Sequence, residues 1–351
     1  MAAKSTPSAK GKANVSEKTK LETSDLEALR LGGIYIPPFK MRRIEAKLAA
    51  NKKSAAYQRL RWEALRKSIN GPINKVNKHN LTEIVVELFN ENIIRGRGLF
   101  CRSIMKSQVS SPSFTNVYCA LICIINTKIP EIGDLLCRRV ITQFQRSYRR
   151  NDKLSLKCIV KFVAHLINYQ VLHELSGLKI IQLLLTQPTN DSIEIVKELI
   201  LNCGAILIKL SPDAMKVVFN TLKDILQETT DLDIRVQYEL ESLFNAFKTN
   251  FKDYPAIDPD LDLVDEDDII CHNIDLLAKH DTEKMLDIFH YDPEWDQHER
   301  DYHDIKREIL GDDDDDSDDD DDVDDDEQAD KNDHDDEDER DGNDDVSTMD
   351  K

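Results

Sequence analysis

PEIGDLLCRRVITQFQRSYRRNDKLSLKCIVKFVAHLIN, residues 130–168, carries the pattern from which the architecture follows. Its apolar residues fall three and four apart: Ile132, Leu135, Leu136, Val140 and Phe144, then Leu156, Ile159, Val160, Val163 and Ile167. That is the spacing of one helix face. Pro130 suits a first helical position, where the N–H has no intrahelical partner to lose. Asp152, after a polar break, suits a helix N-cap. The stretch therefore predicts helices over 130–149 and 152–168, joined by a short turn and so antiparallel.

The same texture extends in both directions. Helices are predicted at 54–69, 80–92, 97–109, 112–126, 130–149, 152–168, 171–187, 189–203, 211–228 and 231–250, with punctuation every fifteen to twenty residues. Start signals recur at Asn80, Ser111-Pro112, Pro130, Asp152, Pro188-Thr189 and Ser211-Pro212. No stretch alternates with period two between hairpin turns, so no sheet is expected. Ten helices make about five antiparallel pairs, and a pair cannot bury its apolar face alone. The expected fold class is all-α, a HEAT-like solenoid. With no exact repeat in the sequence, the array should be irregular.

Around this core the composition shifts. Residues 1–30 are Lys-, Ser- and Thr-rich and are expected to be a disordered basic N-terminus. Residues 31–53 open with GGIYIPPFK, where two glycines and two prolines favour an extended strap. Residues 54–250 form the helical domain. Residues 251–310 read as an acidic extension with one or two short helices packed on it. Residues 311–351 are an Asp-rich tail unable to bury enough apolar area to fold.

Charge is polarised along the chain. Residues 1–160 carry a net of +18, residues 161–310 a net of −16 and residues 311–351 a net of −22, within a total of −20. Separate basic and acidic surfaces are expected. Seven cysteines without CxxC spacing read as reduced core thiols of an intracellular protein. No apolar leader or membrane-length run is present.

Phosphate-loop, dinucleotide, nucleophile-elbow and zinc-protease motifs are all missing, which argues against an enzyme and against any cofactor. Cys119 and Cys123, four apart, have metal-ligand spacing, but they stand in the apolar stripe VYCALICII and read as core. His298 and His303 in HERDYH read as a solvated helix face. The Asp run lacks the glycine turn of a calcium loop and reads as a solubilising tail or a nucleic-acid mimic.

The basic half offers more. YQRLRWEALRK (57–67), Arg138-Arg139, Arg146 and Tyr148-Arg149-Arg150 mix guanidinium and aromatic groups, suited to RNA or to protein docking. Trp62 and Leu65 read as the buried face of the first helix. Asn70-Gly-Pro-Ile-Asn-Lys-Val-Asn77 reads as a polar loop that ends that helix at Gly-Pro. Arg95-Gly-Arg-Gly98 reads either as a simple break or as a place where backbone N–H groups stay accessible.

The blocks GGIYIPPFKMRR, AYQRLRWEALRKSINGPINKVN, ENIIRGRGLFCRSIM, YRRNDK, KFVAHLIN, RVQYELE and FKDYP resemble the nucampholin family of spliceosomal splicing factors. The resemblance runs in order over about residues 31–310. It implies a helical domain similar to the middle domain of initiation factor four-gamma. It further implies that this domain binds the DEAD-box helicase of the exon junction complex, initiation factor four-A-III, with its lobes apart, and brings it to the spliceosome. Family contacts with the helicase map to Asn74 and Lys75, and by extension to Tyr148, Arg149, Arg150 and Asp152. Gly32, Gly33, Tyr35, Ile36, Pro37, Pro38, Arg42 and Arg43 are expected to dock on spliceosomal protein or RNA. The resemblance also implies a nuclear, speckle-associated monomer without membrane contact. A spliceosomal RNA-binding role without full helicase recruitment is the alternative. Two departures stand out. The chain ends inside the acidic linker that in the family precedes a second helical domain. Pro72 stands where an aliphatic residue is usual, and its fixed φ is expected to stiffen or re-aim Asn74 and Lys75.

Overall fold

The computed structural model describes residues 48, 52–228 and 232–311. The glycine–proline block with Gly32, Gly33, Tyr35, Ile36, Pro37, Pro38, Arg42 and Arg43 lies outside them, as does the Asp-rich tail. Among the described residues ten helices form five consecutive pairs: α1 (Ala55–Lys75) with α2 (Leu81–Phe89), α3 (Arg97–Ser110) with α4 (Thr115–Lys128), α5 (Pro130–Arg149) with α6 (Lys153–Asn168), α7 (Glu174–Thr186) with α8 (Asn190–Leu210), and α9 (Pro212–Glu228) with α10 (Ile234–Lys248). An eleventh, α11 (Trp295–Leu310), follows an extended segment with three 3-10 turns. The fold is the all-α, HEAT-like array that the periodicity implies. Among the described residues the nearest thing to sheet pairing is an isolated bridge between Leu172 and His272.

The helices stack in two layers. Even helices pack in order, α2 on α4, α4 on α6, α6 on α8 and α8 on α10. Odd helices form the other layer, with α1 on α3, α3 on α5, and α7 on α9. The core between them is largely apolar: Leu88, Phe100, Leu121, Phe144, Val163, Ile200 and Leu240 are fully buried. The first turns of α6, α8 and α10 meet at one edge, where Lys153 and Arg235 both pair with the buried Glu194, at 2.9 Å and 2.5 Å. A buried carboxylate held by two cations keeps the register of three helices that run side by side.

Several boundaries differ from the local signals. The first helix does not stop at Ile69 but continues through Gly71-Pro72 to Lys75. Ile69, Pro72 and Ile73 are all buried, so packing outweighs the hydrogen bond that Pro72 removes. The segment from Pro112 begins as a 3-10 turn, Pro112–Phe114, before α4 proper. α7 begins at Glu174 because Val171 and His173 instead exchange backbone hydrogen bonds with His272. α8 runs on past Cys203 to Leu210. Gly204 does not end it, because the glycine makes room for a ring: a Cβ there would meet Phe251 at 2.6 Å.

The segment after α10 is a strap that returns across the array. Asn168 of α6 donates to the Ala256 carbonyl (2.7 Å) and Asn126 of α4 to the Ile270 carbonyl (2.6 Å). The strap then fills the space between α5 and α7, where Gln145 donates to the Leu276 and Ala278 carbonyls and Ser176 to the Ile274 carbonyl. It ends on the first pair. Gln58 and Asp292 exchange two hydrogen bonds, Tyr302 donates to the Phe89 carbonyl at 2.9 Å, and Trp295 meets Tyr57 edge-on at 5.5 Å. Arg95 lies 5.8 Å from each of the Trp62 and Trp295 rings, a two-sided cation–π contact.

Two corrections follow. Gly96 and Gly98 are buried, not accessible. A Cβ on Gly98 would lie 2.5 Å from the Leu286 carbonyl oxygen, so only glycine lets the strap approach α3 this closely. The thiols are also less uniform than expected. Five cysteines are buried, but Cys158 is half-buried and Cys271 exposed.

His298 Nδ1 meets Asp292 Oδ2 at 2.6 Å, tying α11 to the end of the strap. The Asp292 hydrogen bond raises the imidazole pKa. Partial burial pushes the Asp292 carboxyl up, but the His298 bond and a backbone N–H leave it net below its ordinary value. A raised histidine adds stability below about pH 6.5 and loses it as pH rises through its folded pKa. The depressed carboxylate adds stability above about pH 3.9 and loses it as pH falls through its own folded pKa. The pair is therefore strongest in mildly acidic solution. A proton NMR titration should place the His298 midpoint above 6.5, and Asp292→Asn should return it towards that value. A wild-type midpoint at or below 6.5 would remove the tie.

Candidate docking surface

Asn74 and Lys75 close α1. Ser54 caps the start of that helix, accepting from Tyr57 N at 3.2 Å, and Val76 N–H closes the end on the Pro72 carbonyl at 2.9 Å. Both side chains are exposed. They sit on the last helical turn, not in a loop. The turn is kept by its surroundings: Asn74 Oδ1 accepts from Ser107 Oγ of α3 at 3.2 Å, and Lys75 Nζ reaches Glu87 of α2 at 3.2 Å. Asn80 donates to the Lys75 carbonyl, and Asn77 Oδ1 accepts from the N–H groups of His79 and Asn80. Pro72, buried two residues before Asn74, fixes its own φ within the helix that presents the pair.

The second group lies at the α5–α6 turn. Tyr148 is half-buried and stacks on Phe144, with centroids 6.0 Å apart. Arg149 and Arg150 are exposed, and Asn151 turns the chain with φ 51°. Asp152 caps α6, accepting from Ser155 N at 3.1 Å and Ser155 Oγ at 2.6 Å. The Ser155 hydroxyl, then its backbone N–H, hold the Asp152 carboxyl below the usual range. Asp152 is thus first a helix cap. Among the described residues no hydrogen bond or ion pair joins the two groups, but neighbouring residues of α3 link their helices: Ser107 reaches Asn74, and Gln108 donates to the Cys158 carbonyl of α6 at 3.0 Å.

Arg138 and Arg139 do not belong to an open basic patch. Arg138 pairs with Asp134 at 2.8 Å and Glu283 at 2.9 Å and donates to the Asp281 carbonyl. Arg139 is 7 % exposed. It donates to the carbonyls of Thr282, Gly98 and Glu283 and lies 2.9 Å from Asp287. That last contact is an ion pair without hydrogen-bond alignment, since Asp287 Oδ1 has no hydrogen-bond partner. Both arginines fasten the strap.

No group of three or more His, Cys, Asp or Glu with metal-binding geometry occurs among the described residues. Burial pushes the Cys119 thiol well above its ordinary value and Cys123 up to about 11, so both remain protonated core groups. No single helix among the described residues is long and apolar enough to cross a membrane.

What sequence reasoning missed is a basic hollow beside Asn74. A cavity of about 660 Å³ between α1 and α3 is lined by Lys67, Asn70, Asn74, Arg102 and Lys106 among others. A second, of about 430 Å³, continues it towards α5 and the strap, with Arg146 and Lys284 on its wall. The available signal was Arg102 and Lys106 at i and i+4, one helix face.

Paired helices in two layers, polar helix-end turns and a buried apolar seam define a helical-repeat domain. The chain belongs to the MIF4G-domain family, whose profile matches residues 66–250, and within it to the nucampholin branch. It is 49 % identical over 297 residues to the pre-mRNA-splicing factor cwc22 of Aspergillus fumigatus, covering 85 % of this chain and 34 % of that protein. It is 45 % identical over 302 residues to the pre-mRNA-splicing factor CWC22 homolog of Caenorhabditis elegans, covering 85 % and 34 %. Against the homolog of Drosophila melanogaster the identity is 45 % over 305 residues, covering 87 % and 23 %. The chain thus spans about a third or less of the length of these relatives.

Proposed function

We propose that this chain is a non-catalytic nuclear scaffold of pre-mRNA splicing that grips a DEAD-box helicase, initiation factor four-A-III, through the end of α1 and the α5–α6 turn. It holds the helicase lobes apart and brings the helicase to the spliceosome. The reading is supported by similarity to proteins named as pre-mRNA-splicing factors. The observation that carries it is the exposed Asn74-Lys75 pair on a stiffened helical turn. An amide and an ammonium fixed in this way suit backbone and carboxylate groups of a protein partner. Arg149 and Arg150 add charge at a second point of grip, and Tyr148 and Asp152 shape that turn. GGIYIPP and Arg42-Arg43 serve as a separate spliceosomal contact.

The test is a pulldown with recombinant helicase. Asn74→Asp/Lys75→Glu should lower affinity about 30-fold or more, corresponding to about 2 kcal/mol for a hydrogen-bonded charge contact at an interface. Both positions are exposed, so loss of the Ser107 and Glu87 contacts should lower the melting temperature only slightly. Equal retention by wild type and variant would mean that the assigned surface is wrong.

A further inference from the structure

Two adjacent residues at the end of α6, Asn168 and Tyr169, each bury a polar atom that has no partner. Asn168 is 1 % exposed and Tyr169 4 %. Among the described residues, neither Asn168 Oδ1 nor the Tyr169 hydroxyl has a hydrogen-bond partner. The Asn168 amide cannot relieve this by turning over, because its Nδ2 already donates to the Asn202 and Ala256 carbonyls at 2.8 and 2.7 Å. Oδ1 is therefore a committed acceptor with nothing to accept, and such a buried group carries its full desolvation penalty. Burial raises the Tyr169 pKa, and Cys119, Cys123 and Asp262 add to it, so the hydroxyl stays protonated.

Both residues line a cavity of about 420 Å³ between α4, α6, α8 and the strap. Small-ligand sites occupy roughly 300–1,000 Å³. The strap contributes three acids to the same cavity, Asp262, Asp265 and Glu266. Glu266 meets Lys209, also in the lining, at 3.6 Å, but both side chains are exposed and such a pair is weak. Asp262 and Asp265 form no ion pair or side-chain hydrogen bond among the described residues. Nearby Asp258 and Asp260 differ, since Lys78 holds them at 2.8 and 2.7 Å. The strap is thus pinned at Ala256, Asp258 and Asp260 on one side and at Ile270 on the other. The unpaired acids stand on the stretch between those anchors. Apart from Gln170 the rest of the lining is apolar, chiefly Ile206, Ile257, Leu261, Val264 and Ile269.

A fixed amide oxygen and two unpaired carboxylates call for a cation with several donors, and they repel phosphate. A guanidinium offers five N–H donors in a planar fork, whereas an ammonium is a point charge. The aliphatic stem of an arginine also packs well on apolar walls. Asp267 and Asp268 continue the acid along the exposed strap, which suits an extended segment better than a free small cation. We infer that this cavity receives an arginine side chain from an extended basic segment of a partner protein. The guanidinium meets Asn168 Oδ1 and the Asp262 carboxylate, and the stem packs on the apolar walls. The site uses neither Asn74-Lys75 nor the α5–α6 turn. Asp152 and Asn168 stand at opposite ends of α6, about 24 Å apart along the helix.

The test uses the full chain and a fluorescein-labelled eight-residue Gly-Arg repeat peptide. In about 150 mM salt the Debye length is about 8 Å, so diffuse attraction is screened. The peptide should bind, and a Gly-Lys repeat of equal length and charge should bind about threefold more weakly or worse. Asp262→Ala/Asp265→Ala should lower affinity for the arginine peptide about tenfold or more. Asp319→Ala/Asp320→Ala in the Asp-rich tail, with the same change in net charge, should leave it intact. Asp262 and Asp265 are exposed and unpaired, so removing their carboxylates should not lower the melting temperature. In amide NMR spectra, signals of residues 168–170 and 262–266 should shift when the peptide is added. Equal binding by wild type and the Asp262/Asp265 variant overturns the proposal. So do shifts confined to residues 312–351, since the tail alone would then hold the peptide. Equal affinity for the two peptides overturns it as well, because any point charge would then serve.

Discussion

Arg139→Ala should destabilise the domain by about 3–5 kcal/mol, the range for removing one partner of a buried ion pair. The side chain is 7 % exposed and spends its whole guanidinium on the strap and on α3. Without it, the carbonyls of Gly98, Thr282 and Glu283 lose their donor, and Asp287, the neighbouring carboxylate, is left without its ion-pair partner. Each orphaned buried acceptor adds its own desolvation cost. Arg139→Lys should recover only part of the loss, because an ammonium restores charge but not the planar fork that serves several acceptors at once. Urea unfolding measures the energy. Hydrogen exchange localises it, with protection at residues 281–287 falling first. A loss below about 1 kcal/mol would mean that the strap is held mainly by Gly98 packing and its apolar residues.

Phe251→Ala should be as costly, about 3–5 kcal/mol for a large buried aromatic truncated in a core. Phe251 is 1 % exposed and adopts φ 55°, a left-handed conformation rare for an aromatic residue. Its N–H donates to the Ala246 carbonyl at 2.8 Å, closing α10. Its ring lies over Gly204 and 6.5 Å from the Phe219 ring, in a cluster with Phe244 and Phe247. The backbone strain is tolerated because the ring fills a space that only a glycine leaves open. Gly204→Val alone should also destabilise, because its Cβ would meet the ring at 2.6 Å. In the double variant the added methyls occupy part of the vacated volume. The two losses should then fall short of additive by at least about 1 kcal/mol. Strict additivity would show that the two positions do not share a cavity.

These two sites show why local sequence signals reached some features and not others. α5 and α6 were legible because Pro130 and Asp152 carry start chemistry beside a clean helical period. α1 was misread past Ile69 because Gly71-Pro72 is a strong local stop, whereas what prolongs the helix is burial of Ile69 and Ile73 in a distant core. α8 was cut short at Cys203, and what lies beyond is likewise set at a distance: Gly204 answers to Phe251, far along the chain. Arg138 and Arg139 looked like an open basic patch because their strap partners stand 143 and 145 residues away, and only the Asp134 pairing of Arg138 lies within a local window. Asn74 and Lys75 were singled out by family resemblance, and periodicity alone would have passed over them. Arg102 and Lys106 were within reach as an i, i+4 pair, but whether a cation is spent or unspent is settled only when its neighbours are in place.

The strap changes how such an array should come apart. In a linear stack each repeat touches only its neighbours, so the end repeats melt first and unfolding spreads inward by steps. Here the segment from Ala256 to Tyr302 touches α6, α4, α7, α5, α3 and α2 in turn, tying the last pairs to the first. Neither terminal pair can melt without releasing contacts that belong to the middle. A one-dimensional array is thereby closed into a loop of mutual dependence, and helix loss and exposure of Trp62 and Trp295 should follow a single transition.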